Sequence, residues 1–494
     1  MIKGKEAREP HSFKKSSQQD VVVNPSPSGT LLIRRLRQCK MKEKGDSWMK
    51  QTDYSEGNIL KQLITFSSPI LLTNLLQVSY QIIDSLWVGN LLGARALGVV
   101  SLSGTVIFTI LSFIIGINQA TLTILSQLKG KRDEQGLKRY VNAFVVTLFI
   151  LSILLGVFGF IFAERILFLL GTPDSLVADA SLYLRINFLG IIFLFGYNFV
   201  ATLMRALGES KAPVYFVVLA VLLNAALDPL FISGFQFGIA GAAYATVISQ
   251  GIAFLFGIYL AIHYKLVPFT WPRMPKKEEV SLILKIGVPS GMQMMVISAG
   301  VTAIMSVVAS FGEDALAGFG AAQRLDNIIL LPAMALGTAV NSLAGINIGA
   351  NRWDRVYKIA QYGLMYNLAI MVLISLLILF FARFGVELFI QEEEAVQFGV
   401  NYLKIVAFFY PFLGINFVLN GVVRGSGAMM QVLILNIISF WVLRYPLTYL
   451  FSNWIGEDGI GVGMGVSFVI SSLFAFLYFR LGGWRKKELF HGTA

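Results

Sequence analysis

The sequence is poor in the residues that carry metal and thiol chemistry. Its 494 residues hold one cysteine, Cys39, and three scattered histidines, His11, His263 and His491, so neither a disulfide framework nor a zinc cluster is available. Charge is scarce as well: 14% of residues are charged and 56% are hydrophobic, where a soluble domain carries about 25% charged residues. The charges that exist are clustered. Residues 62–83, 96–128, 286–312 and 359–382 carry none at all, and each window reaches the roughly 20 residues needed to cross a bilayer. The composition argues against a water-soluble enzyme and for a polytopic membrane protein. Gly130-Lys131-Arg132-Asp133 lacks the Gly-x-x-x-x-Gly-Lys-Ser/Thr spacing that cradles phosphates, so no ATPase is read here.

The net charge of +12 does not point to nucleic acid, because the twelve Lys/Arg and five Asp/Glu of residues 1–50 account for +7 of it. That segment is polar, holds Pro25-Ser26-Pro27-Ser28-Gly29, and has no apolar run of the kind a cleaved signal peptide needs. Residues 1–57 read as a disordered basic tail, a solvated arm or a contact for anionic lipid.

Splitting the apolar stretches at glycine, proline and charge clusters predicts an all-α protein of twelve transmembrane helices, near 60–88, 96–128, 140–163, 184–206, 212–233, 238–262, 281–310, 315–346, 357–381, 401–423, 428–452 and 459–481. The second and eighth exceed one bilayer thickness. Basic loops alternate with acidic ones. Lys129 to Arg139, Arg205 with Lys211, Lys265 to Lys285, Arg352 to Lys358, Arg424 and Arg480 to Lys487 fall on one side; Asp174 and Asp179, Glu313 and Asp314, Glu392 to Glu394, and Glu457 and Asp458 fall on the other. Short basic loops stay cytoplasmic, so both termini are expected inside and the protein in the plasma membrane.

Shifting the sequence by 219 residues superposes Leu91-Leu92-Gly93-Ala94-Arg95-Ala96-Leu97 on Ser310-Phe311-Gly312-Glu313-Asp314-Ala315-Leu316, Tyr183-Leu184-Arg185 on Tyr402-Leu403-Lys404, Arg205-Ala206-Leu207-Gly208 on Arg424-Gly425-Ser426-Gly427, and Gly130 on Gly349. Six helices per repeat leave the halves parallel. The expected plan is two pseudo-symmetric six-helix bundles, 58–264 and 281–482, joined by a cytoplasmic linker at 265–280 and followed by a tail at 483–494. One half rocking against the other around a central site is a transporter design.

At these residues the chain resembles the multidrug and toxic compound extrusion (MATE) family, from about residue 58 to 482. The marks are Asp84-Ser85-Leu86-Trp87-Val88-Gly89, Leu92-Gly93-Ala94-Arg95-Ala96-Leu97-Gly98, Ser126-Gln127-Leu128-Lys129-Gly130, Arg205-Ala206-Leu207-Gly208, Arg324-Leu325-Asp326 and Gly349-Ala350-Asn351-Arg352. The resemblance implies a bacterial twelve-helix efflux carrier driven by an inward proton or sodium gradient and expelling bulky amphipathic, often cationic, compounds.

Ionisable residues inside a membrane helix are costly and mark function. Three acids lie within the predicted spans: Asp84, Asp228 and Asp326. Gln77, Tyr80, Gln81 and Asp84 share one helix face by their i, i+3, i+4, i+7 spacing, and Asn224 precedes Asp228 by one turn. Both faces must point at protein or water. The resemblance adds that one branch of the family places a tyrosine and an aspartate on helix 1, an Asn and Asp pair on helix 5 and a threonine on helix 6 around a cation or proton site; Tyr80, Asp84, Asn224, Asp228 and Thr246 match that set. Buried carboxylates that merely hold the bundle are the alternative. Another branch carries a glutamate on helix 7, which here reads Val288 to Ser298 without an acid.

In the second half, Arg324, Asp326 and Arg444 read as structural charges forming an ion pair, since unpaired charges at that depth are expensive. Tyr197, Met292, Met295 and Phe409 are candidate substrate contacts, methionine being adaptable in shape. The expected activity is secondary antiport of organic cations, with no cofactor beyond H+ or Na+, no catalytic or metal residues, and membrane lipid and small amphipathic substrates as the only partners of a monomer. A lipid-linked oligosaccharide flippase of the same superfamily is the alternative; it would line its cleft with several Arg or Lys, for which only Arg324 and Arg444 are candidates. The Gly-x-x-x-Asp-Arg-x-Gly-Arg-Arg loop of major facilitators is absent from 130–139.

Overall fold

The computed structural model describes residues 53–490, and among them every regular element is helical. The run Ile59–Lys131 is one helical trace interrupted at Gly93, whose φ of 82° and ψ of −176° break the helix; it divides into α1 (59–92) and α2 (94–131). The remaining spans of the first lobe are α3 (Glu134–Leu169), α4 (Asp174–Leu189 continued by Ile191–Ala206), α5 (Ala212–Gly234) and α6 (Ile239–His263). The second lobe has α7 (Lys277–Ala309), α8 (Glu313–Gly349), α9 (Trp353–Glu387), α10 (Glu393–Ala407 continued by Tyr410–Gly425), α11 (Met429–Ile455) and α12 (Asp458–Leu481). Two bundles of six is the architecture the sequence predicts. Several helices overrun the predicted limits: α3 and α9 extend past Glu164 and Arg383, and α4 and α10 begin at Asp174 and Glu393. Apolar windows stop at those charges, but the helices continue beyond them.

The repeat is written into the backbone. Gly312 opens α8 with φ 111°, as Gly93 divides α1 from α2; only glycine takes that conformation without strain. α4 bends by 50° at Gly190 and α10 by 57° at its counterpart, Phe409. Arg132 and Asn351, also partners, both close their helices with φ of 57°.

The lobes meet in the half of the molecule that carries the basic loops. A Cβ on Gly130 of α2 would lie 1.9 Å from the Ile346 carbonyl of α8, and one on Gly349 2.0 Å from the Gln127 carbonyl of α2. Gly116 on α2 approaches the backbone of Gly287 and Gly291 on α7 in the same way. Polar bonds cross there too: Thr123 Oγ1 donates to the Arg424 carbonyl (3.1 Å), Ser342 Oγ to the Arg205 carbonyl (2.8 Å), and Gln127 Nε2 to the Gly425 carbonyl (2.7 Å).

The first turns of α1 are built into the second lobe. Leu63, Phe66 and Ile70 are buried beside Leu336, Val340, Ile359 and Val422. Residues 53–57, expected in the tail, pack as well: Tyr54 is buried and stacks edge-on against Phe66. Arg355 fixes them, donating to the Gly57 carbonyl (3.0 Å), Gln62 Oε1 (3.0 Å) and Asn347 Oδ1 (3.1 Å). Next to this strap, the Ser55 hydroxyl and amide, with Arg132, hold the Asp53 carboxyl below its usual range. The rest of the predicted tail, 1–52, lies outside the described residues. Of the tail at 483–494, Trp484 is buried against Phe479, and Phe490 packs on Tyr140; 491–494 are outside the described residues.

Candidate functional site

A cavity of about 510 Å³ opens inside the first lobe, in the half carrying the acidic loops. α1 contributes Gln77, Tyr80, Gln81 and Asp84, the face that the spacing picks out, and α4 contributes Tyr183, Asn187, Tyr197 and Asn198. α6 adds Thr246 and Gln250. Asn224 and Asp228 stand behind this wall, both fully buried, with Asn224 Nδ2 donating to Asp228 Oδ1 at 3.1 Å. Asp84 is 8% exposed and lies within reach of the Asn224 side chain, and the two carboxylates are near enough to act on each other.

Local sequence explains the placement. Pro229 follows Asp228 and has no N–H to donate back up the helix, and α5 widens into a π turn over Leu230–Gly234 directly after the carboxylate. Such widenings gather at functional sites because they re-aim the side chains of one turn. Tyr80 and Ser249 bond through their hydroxyls at 3.1 Å, and Ser249 Oγ donates onward to the Thr246 carbonyl at 3.0 Å. With its proton spent there, Ser249 accepts and Tyr80 donates.

Oxygen is left over. Asp84 Oδ1, Asn224 Oδ1, Asp228 Oδ2 and Thr246 Oγ1 are all buried without a hydrogen-bond partner among the described residues. No lysine or arginine is among the groups acting on Asp84 or Asp228. Two buried carboxylates without a basic partner are costly while both are charged, and the surplus of oxygen suits a bound proton or an oxygen-ligated cation. The arrangement can take up positive charge.

The six residues proposed for coupling therefore gather around one cavity and its wall, with Gln77 beside Tyr197. Sequence reasoning missed Tyr183, Asn187, Ser249 and Gln250. Tyr183 was visible as a repeat match to Tyr402, and Ser249 and Gln250 lie one turn from Thr246; neither signal says which face a helix turns inward. Of the candidate substrate contacts, Tyr197 lines the cavity and stacks edge-on against Phe216. Phe409 instead sits at the α10 bend against Gly465 of α12. Met292 and Met295 lie on α7, about half exposed.

The second-lobe charges depart from the expected ion pair. No cation lies within 4.0 Å of Asp326 among the described residues; it accepts from Tyr402 (3.1 Å) and from Tyr410. Arg444 donates to Ser467 Oγ at 3.3 Å, its guanidinium 3.8 Å from the Phe440 ring centre and 4.5 Å from that of Phe468. Arg324 is exposed and turned to Phe389. Phenols and ring faces do here what an ion pair was expected to do, and nothing favours the flippase alternative.

Two parallel six-helix lobes, closed on each other at one end and holding a polar cavity deep in one lobe, define a secondary transporter fold. The MatE family model matches the chain twice, over residues 69–230 and 289–450, once in each lobe. The chain is 59% identical over 442 residues, 90% of its length and 99% of the relative's, to a probable multidrug resistance protein, YpnP, of Bacillus subtilis. It is 31% identical to another from that organism, YoeA, over 88% of this chain and 96% of the relative. A solved structure described as the outward-facing conformation of a multidrug resistance MATE family transporter superposes with a TM-score of 0.83 at 23% identity, covering 89% of this chain and 99% of the other. The chain belongs to the MatE family.

Proposed function

We infer that this protein is an efflux antiporter that couples inward movement of H+ or Na+ to export of small amphipathic organic compounds, cations foremost, across the plasma membrane. The observation that carries the reading is the set of four buried oxygens around Asp84 and Asp228 that have no hydrogen-bond partner, and no basic residue acting on the carboxylates, among the described residues. The names of the relatives, multidrug resistance proteins, support the choice of cargo.

The cycle follows from charge. With the basic loops cytoplasmic, the lobes are shut on the inside and the first-lobe cavity lies in the outer half, the posture of a carrier that has presented its cargo outward. A proton or sodium ion arriving from outside neutralises the Asp84 and Asp228 pair. Tyr80, Asn224 and Thr246 supply hydroxyl and amide partners to the neutral or liganded form. The loss of repulsion lets α1 and α5 draw together, which reduces the cavity and displaces cargo outward. Return of the empty carrier delivers the ion inside. The test is ethidium efflux from vesicles under an imposed pH or sodium gradient; efflux that ignores both gradients would sink this reading.

A further inference from the structure

The two bends of the molecule are made differently. In the first lobe no carboxylate spans the bend in α4: Gly156 of α3 lies against the Phe188 carbonyl, where a Cβ would come within 3.0 Å, Tyr183, the counterpart of Tyr402, lines the cavity, and the repeat counterparts of Asp326 and Tyr410 are Ile107 and Ile191. In the second lobe Ser375, the counterpart of Gly156, donates to the Ala407 carbonyl at 2.6 Å. Tyr402 stands before the bend and Tyr410 after it, both buried, and their hydroxyls end on the two oxygens of the single carboxylate Asp326 from α8. One lobe bends its helix by 50° without a carboxylate across the bend, and in the other Pro411 already lacks the N–H that would bond the Ala407 carbonyl, so the 57° bend does not need a charge to form. The carboxylate is an addition to the bend.

We propose that Asp326, Tyr402 and Tyr410 form a charge-operated latch on α10: the ionised carboxylate ties the two halves of the helix across the bend, and neutralising it frees α10 to straighten. An ionised carboxylate accepts strong charge-assisted bonds at both oxygens, whereas a neutral acid turns one oxygen into a donor and weakens both ties. The groups facing Asp326 are the two phenols from α10 and, further off, the Arg444 guanidinium from α11; Arg324 of its own helix is turned away to Phe389. Arg444 favours the ionised, latched form, and a proton reaching Asp326 opposes it. The latch rests on the antiport reading for its place in the cycle, giving the second lobe a charge-sensitive step separate from the Asp84 and Asp228 pair.

The test is a spin-label distance across α10, between Glu394→Cys at its first turn and Met430→Cys just past its end, on the first turn of α11, in a Cys39→Ser background. Each half of the helix is about 24 Å long at 1.5 Å per residue, so full straightening from the 57° bend lengthens the span by about 6 Å. The wild-type background is expected to lengthen on moving from mildly alkaline to mildly acidic buffer. Asp326→Asn should show the longer distance in both buffers, and Tyr410→Phe should shift partway in alkaline buffer. With Asp84→Asn and Asp228→Asn combined, the acid-induced lengthening should persist, which separates failure of the latch from failure of first-lobe coupling. An Asp326→Asn protein that keeps the wild-type distance and its acid response overturns the proposal. So does loss of that response in the first-lobe double variant, because α10 would then follow the first lobe.

Discussion

Thr123 and Ser342 are the same residue of the fold seen twice: each donates its hydroxyl across the lobe boundary to the carbonyl of an arginine, Thr123 to Arg424 at 3.1 Å and Ser342 to Arg205 at 2.8 Å. The two arginines are themselves partners under the 219-residue repeat. Closure at the basic end is thus a pseudo-two-fold contact in which neither lobe is the fixed one. Alternating access requires that contact to part and re-form.

A covalent lock should therefore stop transport. A Cβ on Gly345 would lie 3.1 Å from Ser126 Cβ, close to the roughly 3.5–4.5 Å of a disulfide. Ser126→Cys with Gly345→Cys, in a Cys39→Ser background, should cross-link under oxidation and lose efflux, and a reductant should restore it. Efflux that continues through the cross-link would mean that this end never opens.

Arg355 should be a stability residue. Removing its guanidinium leaves the Gly57 carbonyl, Gln62 and Asn347 without their charged donor, at a cost of about 3 kcal/mol. Arg355→Ala should lower the unfolding midpoint in detergent, and Arg355→Lys, which lacks the planar fork, should recover only part of it. A midpoint equal to wild type would show that the strap of residues 53–62 contributes nothing.

Orientation can be read at Lys131 and Glu393, the last residue of α2 and the first of α10, which lie at opposite ends of the bundle. Cysteines introduced at the two positions should differ toward an impermeant thiol reagent in whole cells, with Glu393→Cys labelled and Lys131→Cys protected. The reverse pattern would invert the topology and with it the direction of coupling.

The twelve spans, the repeat and the polar face of α1 were legible because membrane helices must be apolar over a fixed length and place their few polar residues on one side. The bends were not. Gly190 hints at one and Pro411, which has no N–H to return to the Ala407 carbonyl that Ser375 takes instead, at the other, but each lies inside an apolar run long enough to be read as one straight span. The partners of Asp326 were hidden for a related reason. Depth along a helix suggested Arg324 and Arg444, whereas helix rotation turns Arg324 to Phe389, surrounds Arg444 with Phe440 and Phe468, and gives Asp326 to two tyrosines. Spacing fixes which residues share a face, and only the neighbouring helices decide what that face meets.

The most direct measurement is gradient-driven ethidium efflux from vesicles carrying Asp84→Asn or Asp228→Asn at wild-type abundance. Each substitution keeps the size and hydrogen-bonding capacity of the side chain and removes its ability to change charge. Coupling through the first-lobe pair predicts that each variant is folded, still binds substrate, and loses efflux driven by an imposed pH or sodium gradient. Wild-type efflux in both variants would contradict the account and move the coupling site to Asp326.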